Sequence, residues 1–281
     1  MLVLADVGNS RIKWALVPRS KIEKTVALPL PDELTVIPDT WATQIHAWQL
    51  TPPTQWVIAS TNPNPALTLE TWLAKQGFMV RHLKDYRDVP VRLDLDFPER
   101  VGIDRLLNAL AAIHHGPPGQ PKLIVDAGSA VTVDWVDAED KFCGGAILPG
   151  FRLMSESLHH YTARLPLVKP THLLPILPPR NTEAAIQAGM LAAIIGAIVW
   201  LRKKYLQSSR SRAIPKPSPL SQGTSAAASN LDAPSHVIEP VCFLTGGDAP
   251  LLEAHLDLPV TLWPEMTLEG LYLASRSYRI R

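Results

Sequence analysis

The chain has 281 residues, 27 Lys+Arg against 26 Asp+Glu, two cysteines, 27 prolines and 46% apolar residues. That length admits one large domain or two ordinary ones, each able to bury a core. A net charge of +1 gives no broad basic field for nucleic acid or an anionic membrane, and Cys143 and Cys242 lie too far apart for a CxxC pair, which argues against a disulfide framework or a Cys-rich zinc site.

The opening MLVLADVGNSRIKWALV lacks the order of basic segment, long apolar run and cleavage site of a signal peptide, so a cytoplasmic protein with two buried thiols is expected. Apolar β-formers flanking Gly and Asn predict a strand at Leu2 to Ala5, a polar turn at Asp6 to Ser10 and a second strand at Ile12 to Leu16. Short strands at Val57 to Ser60 and Met79 to Leu83 bracket a helix at Ala66 to Gln76. Gly102 to His115 is helical, with Leu106, Leu107, Leu110 and Ile113 on one face.

At Lys122 to Val136 the opening pattern returns: an apolar strand, Asp126-Ala127-Gly128-Ser129, and another β-rich stretch. Such a repeat implies two related halves. Gly144 to Gly150 reads as a strand stopped by Pro-Gly, and Asn181 or Thr182 caps a helix whose Ala184 to Leu201 stretch is apolar on every side. That length reaches the lower limit for a membrane span, but Gln187, Gly189, Gly196 and the abundance of Ala favour a helix buried between layers or against another subunit. Ser208 to Ser235, rich in Ser, Pro and Ala, is expected to be a disordered surface insertion. A strand at Val241 to Leu244 then runs into Thr245-Gly246-Gly247-Asp248, and a helix at Leu268 to Ser275 closes the chain. Alternating strands and helices in two like halves, 1–116 and 117–281, give an α/β fold with an interdomain cleft.

Two Asp-x-Gly turns facing one cleft suit a polyphosphate. Glycine lets the backbone approach, Asn9, Ser10 and Ser129 offer donors, and turn N–H groups make an anion nest. Asp6 and Asp126 would repel a phosphate directly, so they make sense with cations between. Taken singly, Asp-x-Gly is also a common hairpin turn. There is no GxxxxGK[ST] run, no strand-linked GxGxxG and no GxSxG elbow. Asp104, at a helix start beside Arg105, is a candidate general base whose neighbours favour its ionised form; simple N-capping is the competing role.

Taken in order, Asp6 to Lys13, Gly102-Ile103-Asp104-Arg105 with Asn108, Asp126 to Thr132, Gly144-Gly145 with Pro149-Gly150, Asn181-Thr182 and Thr245-Gly246-Gly247 resemble type III pantothenate kinase. The resemblance implies the acetate and sugar kinase, heat-shock-70 and actin superfamily, two ribonuclease-H-like domains, and a homodimer. It implies ATP-dependent phosphorylation of pantothenate, the first step of coenzyme A synthesis, with Mg²⁺ and K⁺ or NH₄⁺. By its pattern, Asp6, Val7, Gly8, Asn9, Ser10, Arg11, Ile12 and Lys13 form the first phosphate loop, with Asp6 acting on Mg²⁺ indirectly. Ser129 takes the place of a threonine on ATP, Gly246 and Gly247 lie near the nucleotide, and Asp126 resembles the monovalent-cation ligand. Gly102, Ile103, Asp104 and Arg105 resemble the pantothenate segment with Asp104 as base, and Thr182 a further substrate contact. Leu95 stands where the family has a tyrosine, so it offers only apolar contact. A sugar or amino-sugar kinase of the same superfamily, or a nucleotide-binding regulator without turnover, is the alternative.

Overall fold

In the computed structural model, residues 1–31, 36–171, 176–213 and 238–277 are described. The first half builds β1 (Leu2–Val7), β2 (Arg11–Val17), β3 (Lys24–Pro29), α1 (Asp39–Ala47), β4 (Gln55–Ser60), α2 (Pro63–Lys75), β5 (Met79–Leu83), the short β6 (Arg92–Leu93) and α3 (Ile103–His115). There follow β7 (Lys122–Ala127), β8 (Ala130–Val136), β9 (Lys141–Pro149), α4 (Phe151–Tyr161), α5 (Thr182–Ala213), β10 (Val241–Thr245), α6 (Ala249–Glu253), β11 (Thr261–Leu262) and α7 (Met266–Ser277).

The repeat in the sequence is a repeat in topology. The first sheet runs β3-β2-β1-β4-β5, and the second runs β9-β8-β7-β10-β11 with β6 added outside β9. In both, the hairpin pairs are antiparallel and the last two pairs parallel. Elements of each half reach the other sheet: Arg92 and Leu93 pair with Lys141 and Phe142, and α7 packs on β1, β2 and β4.

Strand alternation sorts the core into three layers. Val3, Ala5 and Val7 of β1 face outward onto Trp14, Trp41, Trp56 and helices α1 and α2. Leu123, Val125 and Ala127 of β7 face outward onto Ile186, Met190, Ile194 and Ile198 of α5. Leu4 and Ile124, the residues between, face inward onto α3 and α7, which lie side by side between the sheets. Gly270 makes that helix pair close, because a Cβ there would run into the Leu107 backbone.

Four expectations change. The opening strand continues through Val7, so Asp6 lies in β1 and the turn proper is Gly8 to Ser10. The long helix is not buried all round: Ile186, Met190, Ile194 and Ile198 are buried, whereas Val199 and Trp200 are 48% and 58% exposed. By length and composition it could cross a membrane, but one stripe of it packs on the second sheet. Residues 208–213 are its last turns rather than disordered chain, and 214–235 lie outside the described residues. Of the two thiols, Cys242 is buried and Cys143 only half-buried.

Candidate active site

The same alternation positions the chemistry. Asp6 shares the inward face of β1 with Leu4, and Asp126 the inward face of β7 with Ile124, so both carboxylates point from strand ends into the layer that holds α3. The N-terminus of α3 brings Asp104 to the same place. These residues, the hairpin turns at Gly8 to Ser10 and Gly128-Ser129, and Gly246-Gly247 after β10 line one cavity of about 500 Å³.

Each turn is closed by its glycine N–H, over four residues in the first hairpin and three in the second. Gly8 N–H donates to Arg11 O at 3.1 Å and Gly128 N–H to Ala130 O at 3.0 Å, and Ser10 Oγ and Ser129 Oγ meet across the cleft at 2.7 Å. Gly246 sits at φ +98°, where a Cβ would collide with the Ala127 backbone, so the loop after β10 lies directly on the end of β7.

Beneath the cavity, buried polar contacts fix the carboxylates. Asn108 Nδ2 donates to Asp126 Oδ2 at 3.1 Å, while Thr267 Oγ1 of α7 donates to Asn108 Oδ1 at 2.8 Å and so holds the amide in that orientation. Arg105 Nε donates to both oxygens of Asp134 at 3.0 and 3.1 Å, and its Nη2 contacts the same group. Asp134 is fully buried on β8, so this forked ion pair ties α3 to the second sheet.

Burial pushes Asp104 up to about 7, with the Asp126 and Asp6 carboxylates adding to it and its bond from the Arg105 N–H opposing. Burial likewise raises Asp6 to about 6, against the pull of Lys13, and raises Asp126. The expectation that Arg105 keeps Asp104 ionised is reversed: the guanidinium is committed to Asp134, and three carboxylates share one cavity. The capping role also fails, since the residue preceding α3 is Gly102 and the Asp104 carboxylate accepts from its neighbour's N–H at 2.8 Å. Half-buried hard oxygens with no sulfur or imidazole suit Mg²⁺ or a monovalent cation. No three His, Cys, Asp or Glu side chains among the described residues converge on a single metal position, so phosphate and water oxygens would complete any shell.

Residues 2–204 match the family model for type III pantothenate kinase. The type III pantothenate kinase of Janthinobacterium sp. (strain Marseille) is 32% identical over 97% of this chain and 96% of its own. The chain belongs to the type III pantothenate kinase family. In three dimensions it is similar to a Campylobacter jejuni protein named as a conserved Baf family transcriptional activator, with TM-score 0.54, 19% identity and 99% and 98% of the two chains covered. It is also similar to a Sinorhizobium meliloti protein named as a 2-dehydro-3-deoxygalactonokinase, with TM-score 0.54, 11% identity and both chains fully covered. The fold is one that the chain shares with that kinase.

For this pantothenate kinase, Asp6, Gly8, Asn9, Ser10, Arg11, Lys13, Asp104, Asp126, Ser129, Gly246 and Gly247 line the cavity. Val7 and Ile12 are fully buried on the outward face of the first sheet. Leu95 packs beside Gly144, Ile103 enters the inner core, and Gly102 precedes α3. Thr182 opens α5 in an exposed position and does not line the cavity; Asn181 Oδ1 caps that helix through Ala184 N–H at 2.8 Å. Thr61, Arg152, Asp248 and Thr267 line the cavity without having been singled out. Asp134 carried a signal of its own, the one charged residue in a strand of apolar residues and a threonine.

Proposed function

We propose that ATP and pantothenate meet in this cavity, between halves 1–116 and 117–281, and that Asp104 orients the primary hydroxyl of pantothenate and takes its proton. The observation that carries this reading is the convergence of Asp6, Asp104 and Asp126 with two glycine turns on one cavity. The turns would hold the polyphosphate with backbone N–H groups, Ser10 and Ser129. Asp6 would act on Mg²⁺ through water and Asp126 would bind K⁺ or NH₄⁺; these cations supply neutralisation of phosphate charge. In loose phosphoryl transfer the attacking hydroxyl gives up its proton late, so a carboxylate held near 7 serves as acceptor without being a strong base in the resting site.

Gly102, Ile103, Arg105, Leu95 and Thr182 remain assigned to pantothenate. None of these five lines the cavity among the described residues; Gly102, Ile103 and Arg105 would act by holding the first turn of α3, which presents Asp104. A second copy of the chain would cover the exposed face of α5, and the enzyme would work in the cytoplasm.

The test is ADP production from Mg·ATP, with and without pantothenate, in K⁺ and in buffer free of K⁺ and NH₄⁺. Pantothenate- and K⁺-dependent turnover is expected, and Asp104→Asn should lose all but about a thousandth of it while still binding an ATP analogue. Retention of a tenth of the wild-type rate by that variant would remove Asp104 from its role. ADP release dependent on a sugar but not on pantothenate would transfer the site to the sugar-kinase reading.

A further inference from the structure

Asp6 and Asp126 occupy equivalent places in the two sheets but are held differently. Among the described residues no side chain donates a hydrogen bond to Asp6, whereas Asp126 Oδ2 accepts from Asn108 Nδ2 at 3.1 Å. Their neighbours across the strands differ as well. Asp6 is paired in register with Lys13 and Ala59, and Asp126 with Thr132 and Thr245. An external cation beside Asp6 therefore competes with an ammonium group, while the row of Asp126 offers it oxygen alone. The Thr245 hydroxyl on that row is fully buried and has no hydrogen-bond partner among the described residues. A buried hydroxyl without a partner is costly, and beside an ionised carboxylate a cation is a group that such an oxygen can meet.

Direct cation binding requires the carboxylate to keep one orientation, which in metal sites is the work of a hydrogen bond from behind. Asn108 supplies that bond to Oδ2 and leaves Oδ1 on the side of the Gly128 turn, 3.9 Å from where a Cβ on Gly128 would stand. An amide can present either end: turned over, Asn108 would set its own oxygen against the carboxylate and repel it. Thr267 Oγ1, which donates to Asn108 Oδ1 at 2.8 Å, opposes that turn. Asn108 and Thr267 are 1% and 4% exposed, so bulk water cannot replace the bond. We propose that Thr267 and Asn108 are positioning residues for monovalent-cation binding, a role that rests on Asp126 being the cation ligand. The hydroxyl sets the amide, the amide sets the carboxylate, and cation affinity follows. Helix α7, from the far end of the chain, thereby tunes a site built on β7.

The probe is K⁺, compared with choline at equal ionic strength, and the readout is the denaturation midpoint of the full chain with Mg²⁺ and a non-hydrolysable ATP analogue. K⁺ should raise the wild-type midpoint. Thr267→Val keeps the shape and removes the hydroxyl, so it should need about tenfold more K⁺ for half of that rise. Thr267→Ser, which keeps the hydroxyl, should need the wild-type amount. Asn108→Ala should lose the response as Thr267→Val does, and Asn108→Ala/Thr267→Val should need no more K⁺ than Asn108→Ala alone, because Thr267 acts through the amide. In turnover, Thr267→Val should raise the half-activating K⁺ concentration with less than about a twofold change in KM for pantothenate. A wild-type K⁺ response in Thr267→Val, a Thr267→Ser variant as poor as Thr267→Val, or additive losses in the double variant would each overturn the positioning role and leave Asp126 as the ligand. If Thr267→Val does not fold, a wild-type K⁺ response in Asn108→Ala overturns it equally. A wild-type midpoint that is the same in K⁺ and choline would remove Asp126 from cation binding and the positioning role with it.

Discussion

In the proposed role of proton acceptor, Asp104 faces two opposed demands, since the ionised form that would take a proton is the form that burial and two neighbouring carboxylates disfavour. The first consequence is kinetic. With the free-enzyme group near 7, kcat/KM for pantothenate should fall about tenfold per pH unit below about 7; a profile flat from pH 8 to pH 5.5 would contradict the assignment. The second concerns stability. A carboxyl raised in the folded state binds its proton more tightly there than in the unfolded chain, so its contribution to stability is lost as pH rises from the unfolded value through the folded one. Asp104→Asn should therefore stabilise the metal-free protein by about 1–2 kcal/mol at pH 8, allowing for water at the cavity mouth, with the gain shrinking toward pH 4. Urea midpoints at both pH values would measure it. At this scale the sequence was partly legible. The paired Asp-x-Gly motifs could be read in advance as equivalent, and they do end equivalent strands beside one cavity. The Thr267 to Asn108 bond joins residues 159 positions apart, and Arg105 turns to Asp134 rather than Asp104, both outcomes of packing that no local spacing encodes.

Among the elements, α7 joins several parts: it lies against α3, closes on the first sheet and orients Asn108 beneath Asp126. Its fit depends on Gly270, whose missing Cβ admits the Leu107 backbone. Gly270→Ala gains up to about 1 kcal/mol in helix propensity but forces the pair apart at about 1–3 kcal/mol. The net expectation is a lower denaturation midpoint with weaker ATP-analogue binding, measured on the same preparation; an unchanged midpoint would mean that the helices separate freely. Elements with a clear period, such as α3 and the two hairpins, could be read in advance. The edge strand β3 buries only Leu28 of its six residues, and β6 and β11 are two residues each, so tertiary pairing rather than sequence pattern makes them strands. For α5, apolar residues on all sides conceal which stripe meets the sheet; only the fold distinguishes Ile186, Met190, Ile194 and Ile198 from Ala193, Gly196 and Trp200.

For the molecule as a whole, the two sheets each carry the same five-strand pattern, and each presents the end of its first strand to the shared cavity. Such a repeat explains how a chain with only weak local motifs can build a site for a large, doubly approached ligand. It also exposes an asymmetry. The outer face of the first sheet is covered by α1 and α2, whose apolar side chains turn inward onto a tryptophan cluster, whereas α5 on the second sheet leaves Ala192, Ala193, Gly196, Val199 and Trp200 in the open. Small residues at that spacing let another helix approach closely, and a tryptophan beside them offers a large apolar contact. If a second copy covers this face, Trp200→Glu places a charge where water is excluded and should convert the species seen by sedimentation velocity from two chains to one. Trp200→Phe, which keeps the apolar contact, should leave two. Wild-type protein sedimenting as a single chain at tens of micromolar would show instead that α5 tolerates water along its outer stripe, and the dimer would then have to be abandoned.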